Sequence, residues 1–176
     1  YDEEKRKANL FATIGRGEGR GIVLSGHTDI VPVDDQDWTS DPFVLTRRGD
    51  KILGRGVCDM KGFLAIATAF APEFARRNLS VPIHLAMSFD EEVGCLGVPL
   101  LLDDLARRGV RPSTCIVGEP SQMKVIRAHK GKIGGHVKVT GLPAHSGVAH
   151  QGVNAVEAAG EAIAFLKGIQ RRLRDE

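Results

Sequence analysis

An almost unbroken apolar run, Pro82-Ile83-His84-Leu85-Ala86-Met87-Ser88-Phe89, ends on three consecutive carboxylates, Asp90-Glu91-Glu92. A strand that is apolar along its whole length has no face to offer water, so it belongs inside a sheet covered on both sides. The flanking sequence supplies covers. From Met60 to Arg77, Phe63, Leu64, Ala67, Phe70 and Phe74 recur at helical spacing, with Asp59 where an N-cap would stand and Pro72 expected to kink or shorten the helix. Gly97 to Arg108 reads as a second helix, closed by Gly109 and Pro112. Thr114 to Val117 reads as another short buried strand. Earlier, Asn9 to Ile14 and Gly21 to Ser25 read as strands joined by a glycine-rich turn, a hairpin, and Phe43 to Thr46 with Lys51 to Leu53 as a second hairpin. Alternating strands and helices predict an α/β fold with a mostly parallel sheet.

The pattern changes after Gly131. Gly134 to Thr140 alternates like a half-exposed strand, Gly141-Leu142-Pro143 breaks it, and Val153 to Leu173 is a long amphipathic helix. A boundary near Lys130 is expected, with residues 1–130 in one domain and 131–176 beginning a second. The chain opens at Tyr1 without an initiator methionine and stops just past the helical pattern, as expected of an N-terminal fragment.

Charge excludes several function classes. The 24 basic and 22 acidic residues leave +2, too little to mark a nucleic-acid or anionic-membrane binder. No apolar run approaches a bilayer span. Three scattered cysteines (Cys58, Cys95, Cys115) make no disulfide framework and fit a reducing, cytoplasmic setting.

The chemistry-bearing residues fall at strand ends, where open α/β sheets bind ligands. They are Ser25-Gly26-His27-Thr28-Asp29, then Gly54-Arg55-Gly56 through Asp59-Met60-Lys61-Gly62, then Asp90-Glu91-Glu92, then Gly118-Glu119-Pro120-Ser121. Singly each has a plain reading: a surface turn, a helix cap, a solvated acidic turn. Together they offer one imidazole and several carboxylates on one sheet edge, the donors a dinuclear zinc-like site uses. His27 and Asp29, two apart on extended chain, point the same way, and a carboxylate there fixes the imidazole tautomer. Thiolate from Cys58 is not needed in such a hard donor set. No Gly-x-Ser-x-Gly elbow, P-loop or strand-to-helix Gly-x-Gly-x-x-Gly is present. His84, inside the apolar run, reads as a satisfied core histidine; His129 and His136 have no assigned role.

These four ordered motifs closely resemble the dinuclear zinc deacylases, the family of acetylornithine deacetylase, succinyl-diaminopimelate desuccinylase, aminoacylase and glutamate carboxypeptidase. The resemblance implies a zinc-peptidase-like catalytic domain followed by a smaller α+β, ferredoxin-like lid and dimerisation domain. It implies two divalent ions, zinc or alternatively cobalt. Asp59 bridges them, His27 and Glu119 complete one ion's protein ligands, and Glu92 binds the other. It makes Asp29 the orienter of His27, and Glu91 the general base that takes a proton from the attacking water and passes it to the leaving amine. Gly141-Leu142-Pro143-Ala144-His145-Ser146-Gly147 matches the lid motif whose histidine, here His145, stabilises the oxyanion in the partner subunit's site.

Ala128-His129-Lys130-Gly131 and Gly152-Val153-Asn154-Ala155 add similarity to the acetylornithine deacetylase branch. That branch implies hydrolysis of N2-acetylornithine to ornithine and acetate, in arginine biosynthesis. The expected partners are a small N-acylated amino acid and, at full length, a second copy of the chain. The family's remaining histidine ligand follows the lid and has no counterpart in these residues. Desuccinylase or aminoacylase activity on the same centre is the rival enzyme reading. A catalytically dead dimerisation relative is the rival outside enzymes, and an all-oxygen calcium-type domain leaves His27 unexplained.

Overall fold

A computed structural model describes residues 1–131 and 134–175. The chain forms two compact units, Tyr1–Ile126 and a second from Arg127 onward. In the first unit, β1 (Leu10–Ile14), β2 (Ile22–His27), β5 (Ile83–Ser88) and β6 (Thr114–Val117) build one sheet in the order β1-β5-β2-β6. Between β2 and β5 in sequence come β3 (Thr46–Arg48), β4 (Lys51–Leu53) and the helix α1 (Gly62–Arg76); α2 (Gly97–Arg107) lies between β5 and β6. β2 runs parallel to both β5 and β6, and β1 runs antiparallel to β5. The expected mixed α/β architecture with a mostly parallel sheet is present.

The apolar run takes the inner position its composition demands: in β5 only Ile83 and Met87 are not fully buried. On one face Val23 and Ala86 pack with Leu101 and Leu105 of α2, joined by Phe11 and Val110. On the other, Gly26 looks onto Met60 and Leu64, where a Cβ would stand 2.5 Å and 2.8 Å from their side chains. Side chains alternate along a strand, so α1 and α2 cover opposite faces. Each leucine so buried contributes about 1.5–3 kcal/mol. His84 is a core histidine as expected, 5% exposed, bonded to Thr13 Oγ1 at 3.0 Å and stacked on Phe11.

Several local expectations are corrected. β1 and β2 do not form a hairpin, because β5 lies between them. An apolar strand needs a neighbour on each edge, and the glycine-rich link serves to cross the approach to β5. A Cβ on Gly17 would lie 2.6–2.7 Å from the backbone of residues 79–81, and Ile22 N–H donates to Pro82 O at 3.0 Å. Asp59 is not an N-cap: it has extended dihedrals (φ −121°, ψ 101°), and α1 starts after Lys61. Pro72 does not shorten α1, which runs through it. β6 is exposed at all four residues rather than buried; among the described residues it pairs with β2 alone. The second hairpin does form, between β3 and β4, with its first strand starting only at Thr46.

In the second unit, described residues 134–140 are not a strand; no neighbouring strand among the described residues answers their backbone groups. Leu142 and Val153 exchange both backbone bonds (3.0 Å and 2.9 Å), closing a loop around the short helical segment Ser146–Gln151. α3 (Ala155–Asp175) follows, its first turn capped by Asn154 Oδ1 on Val156 N–H at 3.0 Å, with Asn154 Nδ2 donating to Glu157. No helix of the described residues is long and apolar enough to cross a membrane.

Candidate metal centre

Four chain segments deliver the site: the ends of β2, β5 and β6, and the turn before α1 that carries Asp59. β2 ends on His27, whose imidazole is 2% exposed. Its Nδ1 lies 3.1 Å from the Asp29 carbonyl and 3.4 Å from Asp29 Oδ1, which marks Nδ1–H as a donor and turns Nε2 toward the carboxylates. Around Nε2 stand Asp59 Oδ1 at 3.0 Å, Glu119 Oε1 at 3.6 Å and Glu91 Oε2 at 3.9 Å. Donor atoms of His27, Asp59 and Glu92, and separately of His27, Glu91 and Glu119, lie within 4.8 Å of one another.

The Asp59 turn is pinned beneath the His27 strand end. Gly56 O accepts Lys61 N–H at 2.7 Å, and Lys61 Nζ donates to Thr28 O. Met60 is fully buried, with its sulfur 3.4 Å from His27 N. Glu119 follows Gly118, which extends the β2–β6 ladder through Ser25 O at 3.1 Å and lies so close to the Phe63 ring that no side chain fits there. Glu91 and Glu92 sit just past β5. Both backbone amides donate to the Asp29 carboxylate, at 3.1 Å and 3.0 Å. Asp29 thus holds His27 with one group and the carboxylate loop with another.

Electrostatics follow from this crowding. Burial lifts the Glu92 carboxyl above the ordinary range and the Asp59 charge lifts it further; burial and Asp59 do the same to Glu119. For His27, burial pulls the pKa down, but the Asp59 hydrogen bond, the Asp29 carbonyl and nearby carboxylate charges outweigh it and raise it overall. Burial pushes Asp29 up, and the two loop amides with His27 bring it below the usual range. Among the described residues, the His27 imidazole is the only cationic partner within 4 Å of Asp59, Glu91 or Glu119. One imidazole cannot balance that many carboxylates, and an oxygen-rich set with one nitrogen suits borderline divalent ions. The residues therefore fit the ions that the resemblance implies. Cys58 is exposed and outside both donor groups.

The raised groups set a sign. The folded metal-free protein keeps protons on Glu92, Glu119 and His27 to higher pH than the unfolded chain does, so its stability falls as pH rises past the ordinary carboxylate value of 4.5 and then past the ordinary imidazole value of 6.5. The lowered Asp29 acts only at more acidic pH. Urea unfolding with chelator is expected to show that decline, and stability rising across the window would contradict it.

His145 belongs to the second unit. There its Nδ1 accepts Gly147 N–H at 3.1 Å, which leaves the proton on Nε2. Sequence reasoning missed Met60 and Lys61 as supports; Lys61 was visible only as a neighbour of Asp59.

Comparison with known proteins gives the family. A model of peptidase family M20/M25/M40 matches residues 23–173. Acetylornithine deacetylase of Proteus mirabilis (strain HI4320) is 39% identical over 172 residues, covering 98% of this chain and 43% of that protein. The protein of the same name from Pasteurella multocida (strain Pm70) is 39% identical over 170 residues, covering 97% and 44%. The chain thus spans less than half the length of these relatives. Human carnosine dipeptidase 1 superposes with a TM-score of 0.53 at 30% identity, over 62% of this chain and 24% of that one. An M20 family metallo-carboxypeptidase of Sulfolobus solfataricus, Sso-CP2, shares the fold with a TM-score of 0.54 at 24% identity, over 62% and 25%. With the family model covering most of its length, the chain belongs to peptidase family M20/M25/M40.

Proposed function

We propose that the intact protein is a metal-dependent amide hydrolase that deacylates an N-acylated amino acid, with N2-acetylornithine as substrate and ornithine and acetate as products. The observation that carries this reading is the convergence of Asp59, Glu91 and Glu119 on the single buried nitrogen His27 Nε2. The names of the relatives at 39% identity support the substrate.

Asp59 is assigned as the bridge between two divalent ions, zinc or cobalt, with His27 and Glu119 on one and Glu92 on the other. Such a pair supplies a polarised scissile carbonyl and an acidified water when bound. Asp29 keeps the His27 proton on Nδ1, so that Nε2 offers its lone pair. Glu91 takes the proton from the attacking water and delivers it to the departing amine nitrogen, so no net proton is left on the carboxylate. His145 is assigned as the oxyanion donor. Its Nδ1 already accepts from Gly147, so Nε2–H is free to donate. Residues 1–130 are assigned to the catalytic domain and 131–176 to the start of a ferredoxin-like lid through which two copies pair.

The test compares kcat/KM for N2-acetylornithine and N-succinyl-diaminopimelate on the intact protein. Preference for the acetyl substrate is expected. Preference for the succinyl one would reassign the substrate while leaving the centre in place.

A further inference from the structure

The loop that carries Glu91 and Glu92 is closed at its base by a side chain from outside it. Gly97 N–H donates to Phe89 O at 3.1 Å, one half of the two-bond exchange that closes an opposed antiparallel pair. The other half is not made directly. The Asn9 carboxamide stands in between, with Oδ1 accepting from Phe89 N–H at 3.3 Å and Nδ2 donating to Gly97 O at 2.8 Å. The backbone partners fix the amide's orientation, since an N–H only donates and a carbonyl only accepts. Gly97 has no room for a side chain: a Cβ there would lie 2.5 Å from Phe89 O and 2.9 Å from Asn9 Oδ1.

Above this clamp the loop is bonded to itself. Leu96 N–H donates to Asp90 O at 2.9 Å, while Gly94 and Cys95 donate to Glu91 O at 2.9 Å and 3.0 Å. Lys7 Nζ grips both Asp90 oxygens, at 2.6 Å and 2.7 Å. The Asp29 carboxylate holds the amides of Glu91 and Glu92 from the other side. The backbone at Glu91 is therefore set by three side chains from outside the loop: Asp29 at the tip, Lys7 on Asp90, and Asn9 at the base.

We propose that Asn9 is a positioning residue for the reaction: its carboxamide locks the base of the 89–97 loop and so sets where the Glu91 and Glu92 carboxylates stand. This rests on the functional reading above, in which Glu91 moves the proton. Asn9 acts through the loop backbone alone. Only a side chain that both accepts and donates fits the gap; aspartate loses the donor, and leucine, of similar shape, loses both.

The experiment uses Asn9→Leu and Asn9→Asp in the intact protein, with steady-state kinetics on acetylornithine and amide hydrogen exchange on the chelated protein. Asn9→Leu is expected to lower kcat by roughly 10–100-fold, the scale of a small misplacement of a reacting group. KM is expected to stay within about threefold, because Asn9 makes no substrate contact in this scheme. In exchange, amides of residues 89–97 lose about tenfold or more of their protection while β2 and the middle of β5 keep theirs. Asn9→Asp falls between leucine and wild type, and serves alone if the leucine variant does not fold. An unchanged kcat, or exchange that accelerates across β2 and β5 alike, overturns the role, the second by making Asn9 a support of the whole sheet. Wild-type protein that hydrolyses no acyl amide overturns the functional reading and this role together.

Discussion

Glu91→Gln in the intact protein is expected to keep its metal and lose turnover by roughly 10²–10⁴-fold, the usual contribution of a positioned general base. Glutamine preserves the volume of the side chain, and the loop that carries it is held through backbone groups: Glu91 N–H on Asp29 and Glu91 O under Gly94 and Cys95. Those bonds survive the change, so the loop should stay in place. What disappears is the proton-accepting oxygen pair. The measurement pairs metal content by mass spectrometry with acetylornithine hydrolysis. Activity within tenfold of the parent would show that another group moves the proton. Loss of metal alongside activity would make Glu91 a ligand, a possibility the geometry raises because its Oε2 stands 3.9 Å from His27 Nε2.

Asp59→Ala is expected to empty the centre of both ions and abolish turnover with them. Asp59 belongs to one donor group with His27 and Glu92, and its Oδ1 is the carboxylate oxygen nearest to His27 Nε2, at 3.0 Å. Its removal should cost little in folding. It caps no helix, its side chain is about half exposed, and its charge helps to raise the pKa of Glu92 and Glu119. The chelated variant should therefore melt within a few degrees of the chelated parent. Retention of two ions per chain would refute the bridging role, and a collapsed melting temperature would make Asp59 structural instead.

How much of this was legible in the sequence depended on the range of the interaction. The inner position of β5 was visible because burial on both faces writes itself into consecutive residues. So was the clustering of His27, Glu91, Glu92 and Glu119, because parallel strands bring their carboxyl ends to one edge, whereas Asp59 reaches that edge from the turn before α1. Pairing partners were not visible. The Gly15–Gly21 link looks like a hairpin turn locally, and only the appetite of β5 for two neighbours pulls β1 to its far edge. Asp59 resembled an N-cap because caps and ligands draw on the same short polar residues; its extended dihedrals separate the two. Asn9 carried no signal at all, since its two partners are 80 and 88 residues away.

Met60 has a consequence of another kind. Its thioether is sealed at 0% exposure directly beneath the His27 backbone, in space that Gly26 leaves open. Conversion to a sulfoxide would add a polar oxygen to a fully buried sulfur that already packs 3.4 Å from His27 N. An oxidant in solution reaches a sulfur buried this way only when the structure around it opens locally. Peroxide damage at Met60 therefore counts local openings, and under the proposed ligand assignment an ion held by both His27 and Asp59 would shield the sulfur by keeping those two segments together.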